Sequence, residues 1–157
     1  MTSDASDFIS KLTTFSQRDP ERRVRLFAFE PSVLEAYLIF EAFRRKSEVI
    51  SLHREAQVPE RWVLCEPGVS LSTAFESFFQ AICTKDLNSL NVVDEHGNFS
   101  YFDWDDRFFL LGGVSDFLRI CCPMPIYVSR MHFEAIVLNS PDEEYLLKLW
   151  DSVAHLM

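Results

Sequence analysis

The carboxylates of the stretch YFDWDDRFFLLGG, residues 101–113, are the side chains of this sequence whose types and spacing best suggest chemistry. Asp103, Asp105 and Asp106 lie within a run of aromatic and aliphatic residues that ends at two glycines. Such carboxylates can ligate a cation, act as general acid and base, attract a basic partner, or form the solvated side of a strand. The rest of the sequence narrows this choice.

The pattern does not match a metal site. A calcium loop needs a glycine at its bend and a distal bidentate glutamate, and neither follows Asp103 at the required spacing. A structural zinc site needs Cys or His ligands in short spaced pairs. The adjacent Cys121 and Cys122 have the wrong spacing, and the other cysteines and the histidines are scattered. We therefore predict no metal and no other cofactor. The residues concerned are Cys65, Cys83, Cys121, Cys122, His53, His96, His132 and His155.

No catalytic residue can be assigned from sequence. Nucleophilic catalysis needs a nucleophile, a base and an orienting group that converge in space. The chain has no Gly-x-Ser-x-Gly elbow, no glycine-rich phosphate loop and no dinucleotide fingerprint. A Cys/His pair, such as Cys65 with His132, is geometrically possible, and so is a pair of carboxylates. An enzyme that uses such a pair is the alternative to the non-enzymatic function that we favour.

Negative charge is concentrated in the later part of the chain. The net charge is −9; residues 1–61 are neutral, so residues 62–157 carry the whole −9. This field repels nucleic acid and anionic membranes and attracts basic proteins, so we predict neither nucleic-acid nor membrane binding. The basic cluster Arg44, Arg45 and Lys46 is explained by the C-terminus of a helix, where cations are favourable.

The most acidic segment runs from Asp94 to Asp106 and carries −5 within thirteen positions. Aromatic residues are interleaved with its carboxylates, and strand alternation leaves neither side cleanly apolar. Aromatic anchors combined with steering charges are typical of a partner surface. The alternative is an ordinary strand whose carboxylates are solvated or paired with Arg107. The predicted partner-binding residues are Asp94, Glu95, Tyr101, Asp103, Trp104, Asp105 and Asp106.

These observations favour a non-enzymatic, acidic protein-binding module that docks a basic protein. One form of such a module is an immunity or inhibitor protein that neutralises a basic toxin such as a nuclease, because carboxylates can occupy positions where the toxin binds phosphates. A chaperone-like or structural subunit that oligomerises through an exposed Phe face is a further alternative. We expect a monomer or a homodimer.

The pattern of elements predicts one α+β domain over residues 1–157, with a mostly antiparallel sheet of about 5–6 strands and about four helices, including a C-terminal one. Strands are predicted at 24–29, 61–66, 90–94, 98–104 and 107–111, and also within 126–128 and 132–138, while 48–52 is either a strand or a helix tail. Glu95-His96-Gly97-Asn98 is predicted to form a hairpin turn.

Helices are predicted at 6–15 and 32–46, from about Thr73, after Ser115 and from Ser140. The helix at 32–46 is expected to begin with Pro31 in its first turn and to bury a stripe that includes Val33, Tyr37 and Phe40. Capping boxes are predicted for Thr73 with Glu76 and for Ser140 with Glu143, and the predicted N-cap of residues 6–15 is Ser6.

The N-terminal residues lack the basic and apolar regions of a secretory signal, and no apolar run is long enough to cross a bilayer. The sequence therefore predicts a cytoplasmic protein with reduced cysteines.

Overall fold

A computed structural model describes residues 21–54, 57–83 and 89–157. The described residues form six strands and five helices, which confirms the predicted α+β class. The predicted helix at 6–15, with Ser6 as its N-cap, lies outside the described residues.

The strands are β1 (Arg23–Ala28), β2 (Val49–Arg54), β3 (Glu60–Val63), β4 (Ser89–Asp94), β5 (Ser100–Trp104) and β6 (Phe108–Gly113). The helices are α1 (Val33–Lys46), α2 (Leu71–Ile82), α3 (Ser115–Cys121), α4 (Ile126–Val137) and α5 (Glu143–Val153), followed by a 3-10 turn at Ala154–Leu156.

The six strands make one antiparallel sheet in the order β1-β6-β5-β4-β2-β3. Helices cover both of its faces. The first face packs against α1, α2 and α3, and its core includes Tyr101, Phe109 and Leu111. On the second face, α4 and α5 pack against β1 and β6 through a core that includes Phe108 and Leu110. Because β6 is covered on both sides, all six of its residues are buried.

The segment 126–138 corrects the sequence prediction, since it forms helix α4 and no strand. Its β-branched and aromatic residues suggested a strand. The structure instead buries Ser129, Phe133 and Val137, which are spaced by four residues and share one side of a helix. Only this narrow stripe packs against the fold, so the apolar residues between its members gave a misleading signal.

The two longer helices of the first face begin at serines. Ser32 is the N-cap of α1 and forms a capping box with Glu35, so Pro31 precedes the cap and does not occupy the first turn as predicted. The N-cap of α2 is Ser70, whose hydroxyl accepts the N–H of Thr73 at 3.2 Å. The predicted start at Thr73 is therefore three residues late.

Two further helix starts differ from the predictions. The N-cap of α3 is Val114 instead of Ser115. The C-terminal helix starts at Glu143, because Ser140 belongs to the preceding turn, in which its N–H donates to the Val137 carbonyl at 2.9 Å. The Glu143 carboxylate still accepts a backbone N–H, but from Asn139 at 3.0 Å.

The buried side of α1 is also shifted from the predicted stripe. Phe40 is buried as expected, whereas Val33 is 60% exposed and Tyr37 is 40% exposed. The first turn of α1 extends beyond the core, and Ala36 is the first buried residue of the helix. None of the described helices is long and apolar enough to cross a membrane.

Candidate functional site

The acidic segment found in the sequence is divided between two ends of the sheet. Asp94 and Glu95 lie in the β4–β5 turn, whereas Asp105 and Asp106 lie in the β5–β6 turn. The five residues of β5 separate these turns by about 16 Å at roughly 3.3 Å per residue. The seven predicted residues therefore do not form one surface, although they are close in sequence.

Asp94 stabilises the first turn from inside. It is buried, and its Oδ1 atom accepts the N–H groups of Asn98 at 2.6 Å and Phe99 at 2.8 Å. Its Oδ2 atom accepts the N–H of His96 at 3.3 Å. Glu95 is exposed beside the His96 ring. Three backbone bonds account for the position of the Asp94 carboxylate as a turn cap.

Asp103 has the equivalent role at the other end of β5. Both Asp103 and Tyr101 point into the core of the first face and are buried. The Tyr101 hydroxyl donates to Asp103 Oδ2 at 2.9 Å, and the Asp106 N–H donates to Oδ1 at 3.0 Å. Burial raises the pKa of the Asp103 carboxyl to about 6. The pair holds the turn in place from beneath, and neither side chain offers an exposed surface.

The β5–β6 turn places its two central carboxylates in left-handed backbone conformations. Asp105 and Asp106 have φ angles of 50° and 53°, which aspartate tolerates better than most residues. Phe29, at the end of β1, has a φ of 63°, and its N–H donates to the Arg107 carbonyl at 2.9 Å. Asn139, which lies between α4 and α5, has a φ of 63° as well. Four non-glycine residues with positive φ therefore lie at this end, a concentration that is typical of functional sites.

Arg107 joins this turn to the start of α5. Its Nη2 atom lies 2.8 Å from Asp142 Oδ1, and its guanidinium carbon lies 4.4 Å from the centre of the Tyr145 ring. Charge-assisted bonding combined with ring stacking fixes an arginine more firmly than either contact alone. Through this contact the carboxylates at the start of α5 lie beside those of the turn.

We name this region the acidic end, defined by Glu30, Asp105, Asp106, Asp142, Glu143 and Glu144. Among the described residues, Arg107 pairs with Asp142 and Lys148 pairs with Glu144. Within the part of the chain that the structure describes, Glu30 and Asp105 are exposed and have no cationic partner. The β1–α1 connection and the α4–α5 connection also bring exposed aliphatic side chains to this end, namely Val33, Leu34 (68% exposed) and Leu138 (61% exposed).

Trp104 contributes less surface than the sequence suggested. It is partly buried on the second face, where its ring lies 6.1 Å from that of Phe102 and packs at the margin of the core. Of the seven predicted residues, Asp105 and Glu95 are exposed and Asp106 is half-buried. Only Asp105 and Asp106 among these belong to the acidic end.

The opposite end of the sheet is basic. A groove of about 570 Å³, here called the basic groove, is lined by Arg44, Arg45, Lys46, Ser47, Glu48, Val49, Arg61, Glu95 and His96. Glu41 lies beneath it, is buried, and accepts from Arg44 Nε at 2.8 Å and Arg45 Nε at 3.1 Å. The hydrogen bond from Arg44 lowers the pKa of the Glu41 carboxyl.

The proposed Cys65 and His132 pair is not formed. Cys65 follows edge strand β3, whereas His132 lines a cleft beside β1, the other edge strand. Five strand spacings, about 24 Å, separate those edges. All four cysteines are free, and no group of three or more potential metal ligands occurs within residues 21–54, 57–83 and 89–157.

No known protein family, curated protein or solved structure matches this chain.

Sequence reasoning missed the contributions of Glu30, Leu138 and the carboxylates of α5 to the acidic end. Glu30 is isolated in sequence, and Asp142 contacts the turn through Arg107, which is thirty-five positions away. One signal was present, since Phe29-Glu30-Pro31 links a strand directly to a helix and so had to lie at an end of the sheet.

Proposed function

We propose that this chain is a non-enzymatic protein-binding module whose acidic end docks a basic partner. The observation that carries the proposal is the placement of Glu30 and Asp105, exposed and without a cationic partner among the described residues, at the same end as the exposed side chains of Leu34 and Leu138. Charges of one sign steer a partner and orient it, while aliphatic side chains supply the buried contact that retains it.

The internal support of this end favours binding over catalysis. Asp103 and Tyr101 bond to each other and to the turn, and neither lines the basic groove or the cleft beside β1. A turn held from beneath presents its carboxylates with little freedom, so less entropy is lost when a partner binds.

In the form that we favour, the module is a cytoplasmic immunity or inhibitor protein, monomeric or homodimeric, that covers the active site of a basic toxin such as a nuclease. The carboxylates of the acidic end then occupy the positions of substrate phosphates. Such a complex forms rapidly and weakens as ionic strength rises, because salt screens the steering field.

The test uses two double variants that remove the same charge. Glu30→Gln with Asp105→Asn neutralises the acidic end, whereas Glu48→Gln with Glu76→Gln neutralises two exposed carboxylates elsewhere. The probe is a labelled sixteen-residue amphipathic helix of lysine and leucine, followed by fluorescence anisotropy at low and high salt.

We expect the first double variant to weaken probe binding by about tenfold and the second to change it by less than twofold, because two solvent-exposed charge contacts together are worth about 1.4 kcal/mol. Equal losses in the two variants would show that net charge alone attracts the probe, and the proposed site would then be rejected.

The oligomeric alternative was predicted to use an exposed Phe face, and no phenylalanine among the described residues is exposed. Among the described residues, the surface that best supports this alternative is the outer side of α4, where Tyr127 is 69% exposed and Met131 is 66% exposed. A second copy of the chain that packs there would give a dimer by light scattering, and Met131→Glu would make it monomeric.

A further inference from the structure

Strand β3 is the last strand of the sheet formed by the described residues, and some of its backbone groups face away from β2. The Leu64 N–H donates to the Glu48 carbonyl of the neighbouring chain segment at 3.0 Å. In an antiparallel pair this orientation alternates, so Trp62 also faces β2, whereas Arg61 and Val63 face away from it. The N–H and C=O groups of these two residues therefore match one side of an additional strand.

A groove, here called the edge groove, runs beside this strand on the first face of the sheet. It has a volume of about 440 Å³ and lies between β3, the segment 64–69 and α2. Apolar side chains line much of it, and hydroxyl groups lie along the helix side. The lining includes Trp62, Leu64, Val69, Ala74, Ser77 and Phe78.

The edge groove adjoins a positive region. Arg61 lines both the edge groove, where Glu66 also lies, and the basic groove. The basic groove holds four cations, Arg61 and the cluster Arg44, Arg45 and Lys46, against two carboxylates, Glu48 and Glu95. Val63 pairs with Val49, the first residue of β2, so the Val63 end of β3 lies towards these cations. A bound segment therefore meets apolar surface along β3 and positive charge at one end.

We propose that β3 accepts an extended, acidic segment of a partner protein as an additional strand. The backbone of the segment pairs with Arg61 and Val63, an apolar side chain enters the edge groove, and carboxylates at the Val63 end contact the basic groove. In strand addition, backbone bonds supply affinity and pockets for alternate side chains supply specificity.

Charge favours such a segment over a second copy of this chain. Antiparallel pairing of two β3 strands through Arg61 and Val63 sets each Arg61 opposite the Val63 of the other copy. The two arginines then lie diagonally, about 7–8 Å apart on one face, where like charges are unfavourable. An acidic segment supplies the opposite charge at the same place.

The test selects ligands for the full chain from a library of random ten-residue peptides displayed on phage. We expect enrichment of extended peptides that combine one or two aliphatic residues with terminal acidic residues. Ser77→Trp fills the edge groove without removing a core side chain, and Ser72→Trp makes the same change at an exposed position of α2 outside the groove.

We expect Ser77→Trp to weaken the selected peptide at least tenfold and Ser72→Trp to leave its affinity within twofold of the original. Bound peptide is also expected to slow hydrogen exchange at the Arg61 and Val63 amides by at least tenfold, because these N–H groups become paired. The acidic-end variant Glu30→Gln with Asp105→Asn should bind the peptide as well as the unmodified chain, which keeps this test separate from the proposed function.

Failure to enrich any peptide, or equal affinities in the two tryptophan variants, would overturn the proposal. So would a concentration-dependent dimer of the unmodified chain that Val63→Pro abolishes, because β3 would then pair with a second copy.

Discussion

The two ends of the sheet carry opposite charge, and each is organised around one side chain of the opposite sign. At the acidic end, Arg107 lies between Asp142 and the Tyr145 ring, while at the basic groove the buried Glu41 carboxylate binds Arg44 and Arg45. The difference lies in how far the surface charges are neutralised. Glu41 engages two arginines of the basic groove, whereas Glu30 and Asp105 have no cationic partner among the described residues.

Helix α1 connects these two ends. It begins beside Glu30 with a capping box and ends with Arg44, Arg45 and Lys46 at the basic groove. Both arrangements agree with the helix dipole, which favours carboxylates at the N-terminus and cations at the C-terminus. Part of the charge separation therefore stabilises the helix.

The largest expected effect concerns the pH dependence of stability at the acidic end. Burial raises the pKa of Asp103 from 3.8 to about 6, so the folded state holds this proton more tightly than the unfolded state. The contribution is fully present below about pH 4 and is lost as pH rises through about 6, a change of about 3 kcal/mol. The free energy of unfolding of the unmodified chain, measured in urea, should therefore fall between pH 4 and 7, and that of Asp103→Asn should not show this fall.

The control for this prediction is Asp105→Asn, which changes an exposed carboxylate of the same turn. It should retain the slope of the unmodified chain. Identical slopes for Asp103→Asn and the unmodified chain would mean that the buried carboxyl does not titrate in this range.

At the basic groove, the Glu41 carboxylate is the shared acceptor of Arg44 and Arg45. Glu41→Ala should lower the free energy of unfolding by about 2 kcal/mol, because two arginines lose a buried acceptor. Glu48 lines the same groove and is exposed. Glu48→Ala should therefore cost less than about 0.5 kcal/mol. Urea unfolding at pH 7 measures both, and equal costs would indicate that Glu41 does not organise the groove.

Arg107 bonds to Asp142 and packs on the Tyr145 ring. Arg107→Ala should lower the free energy of unfolding by about 1.5 kcal/mol, because the turn loses its contact with Asp142 just before α5 and its contact with Tyr145 within α5. The control residue Arg119 is exposed and lies 3.6 Å from Asp116. Arg119→Ala should change stability by less than about 0.5 kcal/mol. Thermal unfolding of the two variants provides the comparison. If Arg107→Ala leaves the stability unchanged, the contacts between the turn and α5 do not stabilise the acidic end.

The smallest expected effect is at the start of α1, where the Ser32 hydroxyl accepts the Glu35 N–H at 3.2 Å. Ser32→Ala removes this acceptor and should cost about 1 kcal/mol. Ser32→Asp keeps an acceptor at that position and should restore most of the loss. If both substitutions cost the same in urea unfolding, the cap does not contribute as described.

Patterns of sequence predicted most of this fold because they report local geometry. The hairpin around Gly97 was predicted from turn chemistry, and strand β1 from its alternation. The segment of α4 was wrongly predicted as strand. Most of its apolar side chains face outward, so its apolar composition does not indicate which residues are buried.

The composition of the acidic end was less predictable. The carboxylates of the β5–β6 turn were singled out from the sequence, but they were grouped with Asp94 and Glu95, which lie at the other end of the sheet. Adjacency in sequence indicates adjacency in space only within a turn or a helix, since a strand carries its two ends apart. The other residues of the acidic end are distant in sequence and are brought together by tertiary contacts such as the one between Arg107 and Asp142.

The central claim is that a basic partner binds the acidic end specifically. It is tested most directly by mapping backbone amide shifts in nuclear magnetic resonance spectra during titration with the lysine-leucine helix. We predict that the largest shifts fall at Glu30, at Asp105–Arg107 and within Leu138–Glu144, and that they vanish in Glu30→Gln with Asp105→Asn. Shifts of similar size spread over all exposed carboxylates, or centred on the basic groove, would contradict the account.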